Sequence, residues 1–280
     1  MSLRSICNFA HLLINLYKPL FSTLSSDKSK QYSKNKNFLC QKNMKNLLFF
    51  LTFSFLSGNI LAQSPYQLHL GREAGWVGGS VAVTGVAYLL KSRTPAFTPA
   101  QIGALDASRV PRFDRYALHH YSGSAQHGSD LVLYGSLILP AVLLADRHIR
   151  RDAPEVAVVI GEVFAVNLAL TTLTKELVHR TRPFAYNPNA PLEPKLEADT
   201  RRSFFSGHTS NTAAMSFATA KIWTDYHPDS RWKPVVWMAA AVIPATVGYL
   251  RMRGGKHYLS DVVVGMVVGA ATGILIPHWH

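Results

Sequence analysis

Six apolar runs constrain the fold of this chain more than any other feature. They are "WVGGSVAVTGVAYLL" (76–90), "LVLYGSLILPAVLLA" (131–145), "VAVVIGEVFAVNLALTTLT" (156–174), a stretch at roughly 209–223, "PVVWMAAAVIPATVGYL" (234–250) and "VVVGMVVGAATGILIP" (262–277). All are longer than usual strands and none alternates with period two, so they predict helices. The expected fold class is all-α, a multi-helix bundle of about six helices. A bilayer span takes about 20 apolar residues, with roughly 17 as a lower bound, and several runs sit at or below that bound. Their frequent Gly, Ala, Ser and Thr suit close helix packing in lipid. A large soluble bundle also accommodates helices that are apolar all round; membrane embedding is the expectation favoured here.

The formal charge of +13 is unevenly placed. Residues 1–43 hold seven Lys/Arg against the single acid Asp27, in polar text such as "SSDKSKQYSKNKN". Such a segment cannot bury a core and reads as disorder or as an extension upstream of the mature protein. From Met44, "MKNLLFFLTFSFLSGNILAQS" has a short basic start, an apolar run and a small residue before Gln63, the pattern of a secretory signal over 44–62. A cytoplasmic tail followed by an anchor is the alternative. Both cysteines, Cys7 and Cys40, lie in the upstream part, so a chain starting later has no disulfide or thiolate site. No nucleic-acid motif accompanies the basic charge. The remaining chain divides into a helical and loop segment at 63–127 and a core at 128–280.

Three short polar clusters interrupt the apolar runs. In "KELVHRTRP" (175–183), Lys175 and Arg182 are seven apart, two helical turns, and Pro183 is expected to help end the helix. Two cations on one face suit an anion, and the planar Arg fork matches phosphate oxygens. Contact with lipid head groups explains that cluster equally well by itself. In "FFSGHTSNTAA" (204–214), Ser206 and Gly207 precede a helix whose unpaired amides favour anions, with His208 placed as a general acid. In "YLRMRGGKHYLSD" (249–261), His257 and Asp261 are four apart, so a helix starting near His257 would pair them and leave Nε2 free to attack. Gly254-Gly255 lets Arg251 fold back toward the histidine. Each cluster alone has a bland reading as a cap, turn or helix contact. Together they supply the parts of a metal-free phosphoryl-transfer site: two histidines, a carboxylate, three cations and a helix N-terminus. No metal-ligand cluster or Walker loop accompanies them.

The order Lys-x6-Arg-Pro, Ser-Gly-His, Arg-x5-His-x3-Asp resembles the signature of the type 2 phosphatidic acid phosphatase and vanadium haloperoxidase superfamily, over about residues 128–280. The resemblance implies His257 as the nucleophile forming a phosphohistidine, Asp261 orienting it and His208 as general acid. It implies phosphate binding by Lys175, Arg182, Ser206, Gly207 and Arg251, with no metal or cofactor. Phe205 and Leu250 stand where the family usually has Pro and Ser.

Within that family the apolar helices favour a membrane lipid phosphatase acting on phosphatidic acid, phosphatidylglycerol phosphate or a polyprenyl diphosphate. A soluble periplasmic acid phosphatase is the alternative. A vanadate-dependent haloperoxidase and a non-catalytic membrane protein binding anionic lipid follow. The expected location is a bacterial-type cell membrane with the site facing the periplasm or exterior, and 76–90 packing without crossing. Glu162 reads as a helix–helix hydrogen bond, Arg201 and Arg202 as a solvated loop or a head-group attractor. His119, His120, His278 and His280 have no partners nameable from sequence.

Overall fold

The computed structural model describes residues 64–280. Segment 1–43, the expected signal at 44–62 and both cysteines therefore lie outside the described residues. Within them the chain is helical and contains no strand. Six long helices carry the bundle: α1 (Leu70–Lys91), α2 (Gly123–Ile138), α3 (Ala153–Val178), α4 (Gly207–Tyr226), α5 (Lys233–Arg253) and α6 (Leu259–His278). They coincide with the six apolar runs, although their ends differ from the runs for local reasons.

The clearest difference is in α2. The polar text "YSGSAQHGSD" looks like a turn, but Ser122 Oγ accepts the Ala125 N–H at 3.3 Å and caps a helix starting at Gly123. Its far end tightens into a 3-10 stretch, Leu139–Ala145, where Pro140 removes a helical donor. Likewise α3 stops at Val178, with His179 in the left-handed region at φ 49°, four residues before Pro183 is reached. Arg182 therefore sits in extended backbone, not two turns beyond Lys175 on one helix.

Helix α4 is the centre of the bundle, touching α2, α3, α5 and α6. Its text is too polar for a lipid-facing helix, but its Ser, Thr and Ala side chains are small and mostly buried. Against it runs a stripe of glycines on α6. A Cβ at Gly265, Gly269 or Gly273 would come within 2.7, 2.1 and 2.5 Å of the carbonyl oxygens of Ser206, Ser210 and Ala214. The two helices can approach so closely only because those positions carry hydrogen. A buried polar bridge ties α3 to both: Ser210 Oγ donates to Asn167 Oδ1 at 2.7 Å, and Thr272 Oγ1 donates to the same oxygen at 3.3 Å.

The outer faces are apolar. Leu131 is 74% exposed, Ile138 69% and Val267 63%, an outward apolar surface that water would penalise and lipid would not. Among the described residues, four stretches are long and apolar enough to cross a membrane: Gly123–Ala145, Ala153–Tyr186, Lys233–Arg253 and Leu259–His278. Helix α1, 22 residues and packed along α3, is not among them.

Candidate active site

All three polar clusters meet at one end of the bundle. The Phe184 N–H donates to the Gly255 carbonyl at 2.9 Å, and the Ser206 N–H donates to the Asp261 carbonyl at 3.0 Å. The turn after α5 depends on Gly255, which adopts φ 69° with its missing Cβ position only 2.3 Å from the His120 carbonyl. No other residue fits there without moving backbone.

Around this junction, buried and half-buried cations gather with few counter-charges. Arg182 and Arg251 are 4% and 6% exposed. Arg182 is held by the Asp199 carboxylate at 2.8 Å and the Asp199 carbonyl at 2.9 Å, and it also donates to the Lys256 carbonyl at 3.3 Å. Arg251 Nη1 reaches Ser129 Oγ at 3.2 Å and Asp130 Oδ1 at 3.3 Å, while its buried Nε has no hydrogen-bond partner among the described residues. The Lys175 ammonium makes no hydrogen bond or ion pair among the described residues. Its Nζ lies 3.4 Å from where a Cβ on Gly207 would stand, so glycine makes room for the ammonium at the α4 N-terminus. Burial pushes the Lys256 ammonium down to about 8, and the neighbouring Arg182 and Arg251 act in the same direction. Such a cluster suits a further anion such as phosphate.

His257 lies at its centre, 1% exposed. Burial holds its imidazole well below the ordinary value of 6.5, and Arg182, Arg251 and Lys175 add to the effect. The ring is a neutral base over the ordinary pH range. Asp261, at the third position of α6, places Oδ2 3.5 Å from His257 Nδ1, near but beyond a hydrogen bond. Helix α6 begins only at Leu259, so the pair spans the helix boundary, not one helix face.

His208 is in the first turn of α4, as the motif implied. Its Nε2 lies 2.8 Å from Asp130 Oδ1, the oxygen that also accepts from Arg251. One carboxylate thus links the candidate acid to a candidate phosphate ligand. Ser206 is the N-cap of α4; its Oγ is 2.9 Å from Thr209 Oγ1 and accepts weakly from the Thr209 N–H at 3.4 Å.

Several residues of this site escape sequence reasoning. Asp261 is held on both oxygens: Arg180 Nη1 donates to Oδ1 at 2.5 Å, Ser203 Oγ to Oδ2 at 2.5 Å, and the Tyr258 N–H to Oδ2 at 3.0 Å. Arg180 also donates to Asp114 Oδ2 at 2.6 Å, and Asp114 in turn accepts from the Ser260 N–H and hydroxyl at 2.9 and 2.7 Å. Arg180 stands inside the quoted basic cluster, so its charge was visible. Asp114 and Asp130 carried no signal, being single acids in text that resembles loop. Arg202 does not sit in a solvated loop: it is buried and pairs with Glu176 at 2.6 Å.

The arrangement brings a neutral imidazole, a second histidine beside a carboxylate, three cations and a helix N-terminus to one place. Residues 156–280 match the PAP2 superfamily. The resemblance carried by the three motifs is borne out at that level. A curated relative, phosphatidylglycerophosphatase B of Bacillus subtilis (strain 168), is 31% identical over 115 residues. The match takes in 41% of this chain and 53% of the relative, so the chain spans about half that relative's length. A solved structure, a transmembrane PAP2-type phosphatidylglycerolphosphate phosphatase from Bacillus subtilis, is 23% identical with a TM-score of 0.47, covering 71% of this chain and 94% of that one.

Proposed function

We propose that this PAP2-superfamily chain is a metal-independent phosphatase that removes phosphate from a membrane lipid through a phosphohistidine on His257. One observation carries this reading: half-buried Lys175 and buried Arg182 and Arg251 surround a buried, neutral His257 at the N-terminus of α4. A simple anion-binding pocket needs neither that base nor His208. His257 Nε2 attacks phosphorus, the ester P–O bond breaks, and the leaving oxygen takes a proton from His208. Water then gives a proton to His208 as it cleaves the P–N bond, releasing phosphate and neutral His257. The three cations and the α4 amides stabilise the equatorial oxygens of the five-coordinate state. Asp261 orients the His257 ring. Burial and then Arg251 push the His208 imidazole down to about 4, and Asp130 works against them to favour its charged form.

The apolar outer faces of four long helices favour a lipid substrate over a soluble ester, whether phosphatidic acid, phosphatidylglycerol phosphate or a polyprenyl diphosphate. Phosphate release should survive EDTA and be inhibited by orthovanadate, which mimics the five-coordinate state. Activity lost in EDTA and restored by magnesium would reject the mechanism. Comparing release across those lipids in detergent micelles identifies the substrate.

The low basicity of His257 sets an expected pH profile. A base with a depressed pKa stays unprotonated as pH falls through 6.5 and is lost only well below it. The acid limb of kcat/KM due to His257 should therefore lie clearly below pH 6.5. A limb at 6.5 or higher that survives in His208→Ala would contradict a buried neutral nucleophile.

The proposed orientation places the site outside the cytoplasm. Loops 146–155 and 221–233, which carry Arg147, Arg150, Arg151, Lys221, Arg231 and Lys233, meet at the other end of the bundle, where His227 Nε2 is 3.1 Å from Asp146 Oδ2. Basic loops favour the cytoplasmic side. With Cys7 and Cys40 replaced, a cysteine at exposed Asn189 should react with an impermeant reagent in spheroplasts, and one at exposed Arg151 should not. The reverse pattern would invert the topology.

A further inference from the structure

Far from the phosphate cluster, three residues separated by most of the sequence come together. Glu73 comes from the first turn of α1, Glu162 from within α3 and His280 from just beyond α6, with their donor atoms all within 4.8 Å of one another. Glu162 precedes Lys175 by thirteen residues, about 20 Å along α3 at 1.5 Å per residue. A glutamate inside an apolar run is expected to make a helix–helix hydrogen bond, but neither Glu162 oxygen makes one among the described residues. It is 1% exposed, and the His280 side chain is fully buried.

We propose that Glu73, Glu162 and His280 bind one divalent transition-metal ion, with zinc the best match, as a clip joining α1 to α3 and to the segment after α6.

The tautomer supports this. His280 Nδ1 lies 2.7 Å from the Ile276 carbonyl, which can only accept, so Nδ1 carries a proton. A backbone carbonyl in that position is the usual partner that orients a metal-binding imidazole. Nε2 then faces Glu162 Oε2 at 2.7 Å and Glu73 Oε1 at 3.3 Å. At 2.7 Å a hydrogen bond would be expected, yet among the described residues His280 Nε2 and both Glu162 oxygens have no hydrogen-bond partner. The atoms are close but misaligned, which is how ligands look when each points at a shared centre and not at its neighbour. Glu73 fits the same role. Arg72 Nη2 holds its Oε1 at 2.8 Å, while its buried Oε2 has no hydrogen-bond partner among the described residues. A second-shell hydrogen bond of that kind is common on ligating carboxylates.

Energetics point the same way. Two buried carboxylates and an imidazole lone pair turned on one another are costly unless a cation lies between them. Arg72 supplies one positive charge for two carboxylates. Mixed imidazole and carboxylate donors suit zinc, with water completing the shell. Stacking of Trp76 on Trp279, with centroids 5.6 Å apart and planes within 5°, holds the same two segments beside the cluster. A groove of about 500 Å³, lined in part by Tyr66, Asp225 and His278, includes His280 in its wall and offers an ion a way in.

The test uses the full chain in detergent, free of any histidine tag, stripped with a chelator and dialysed against zinc. Elemental analysis should find one more zinc per wild-type chain than per Glu162→Gln chain. His280→Ala should weaken zinc binding at least tenfold, the scale seen when even an outer-shell partner is lost. Cobalt(II) added to the stripped wild type should give visible ligand-field bands that zinc abolishes, a readout independent of whether either variant folds. Zinc should also raise the wild-type Tm, as any ligand of the folded state does, and not that of Glu162→Gln. Equal zinc in wild type and both variants, or cobalt without such bands, overturns the proposal and leaves an imidazolium paired with the two glutamates. The zinc count does not depend on turnover, so it stands or falls separately from the phosphatase reading.

Discussion

Replacing His257 with alanine should abolish phosphate release, by about 10⁴-fold or more, the scale on which loss of a covalent nucleophile is felt. The acid-labile phosphoenzyme should disappear with it. The side chain is 1% exposed, so alanine leaves a small cavity as well as removing the attacking nitrogen. A stability measurement therefore belongs beside the rate. His208→Ala should slow turnover sharply, yet less so for esters with good leaving groups, which need little protonation. Asp261→Asn keeps the nucleophile and should cost less in rate than His257→Ala. Trapping phosphate on His208 while His257→Ala still turns over would reverse the roles.

Arg180→Ala should be the most damaging change outside the phosphate cluster. The guanidinium bridges two buried carboxylates, Asp114 at 2.6 Å and Asp261 at 2.5 Å, whose side chains are 1% and 0% exposed. Removing it leaves both without their cation, and breaking a buried pair this way costs about 3–5 kcal/mol. A Tm lowered by many degrees should accompany a fall in turnover, because Asp261 loses the contact that fixes it beside His257. Arg180→Lys should recover only part of the loss, since an ammonium lacks the fork that serves two carboxylates at once. A variant with unchanged Tm and rate would show that Ser203 and the Tyr258 amide hold Asp261 without help.

Much of this follows from local chemistry. The six helices could be read from their apolar runs because burying or lipid-facing a long segment needs apolar side chains on nearly every face. The caps were partly legible too: Ser206 before α4 is where a helix-capping hydroxyl belongs. The Ser122 cap is not legible in the same way, because Ser, Gly and His in sequence also describe a loop. The clusters at 175–183, 204–214 and 249–261 stood out as charges where apolar text should continue. Lys175 and Arg182 do not share one helix face as the spacing predicts, since α3 ends at Val178 and Arg182 follows in extended backbone.

What the sequence determined alone is the helical class and the inventory of reactive groups, because both depend on residues near each other along the chain. What only the tertiary structure decided is which distant groups become partners. Asp130 joins His208 and Arg251, Asp114 joins Arg180 and Ser260, and Glu73 and Glu162 meet His280. Each contact depends on which helix faces turn inward and how closely they pack. That packing is set by the glycine stripe of α6 against α4 and by small side chains summed over the whole bundle, a property that no local window contains.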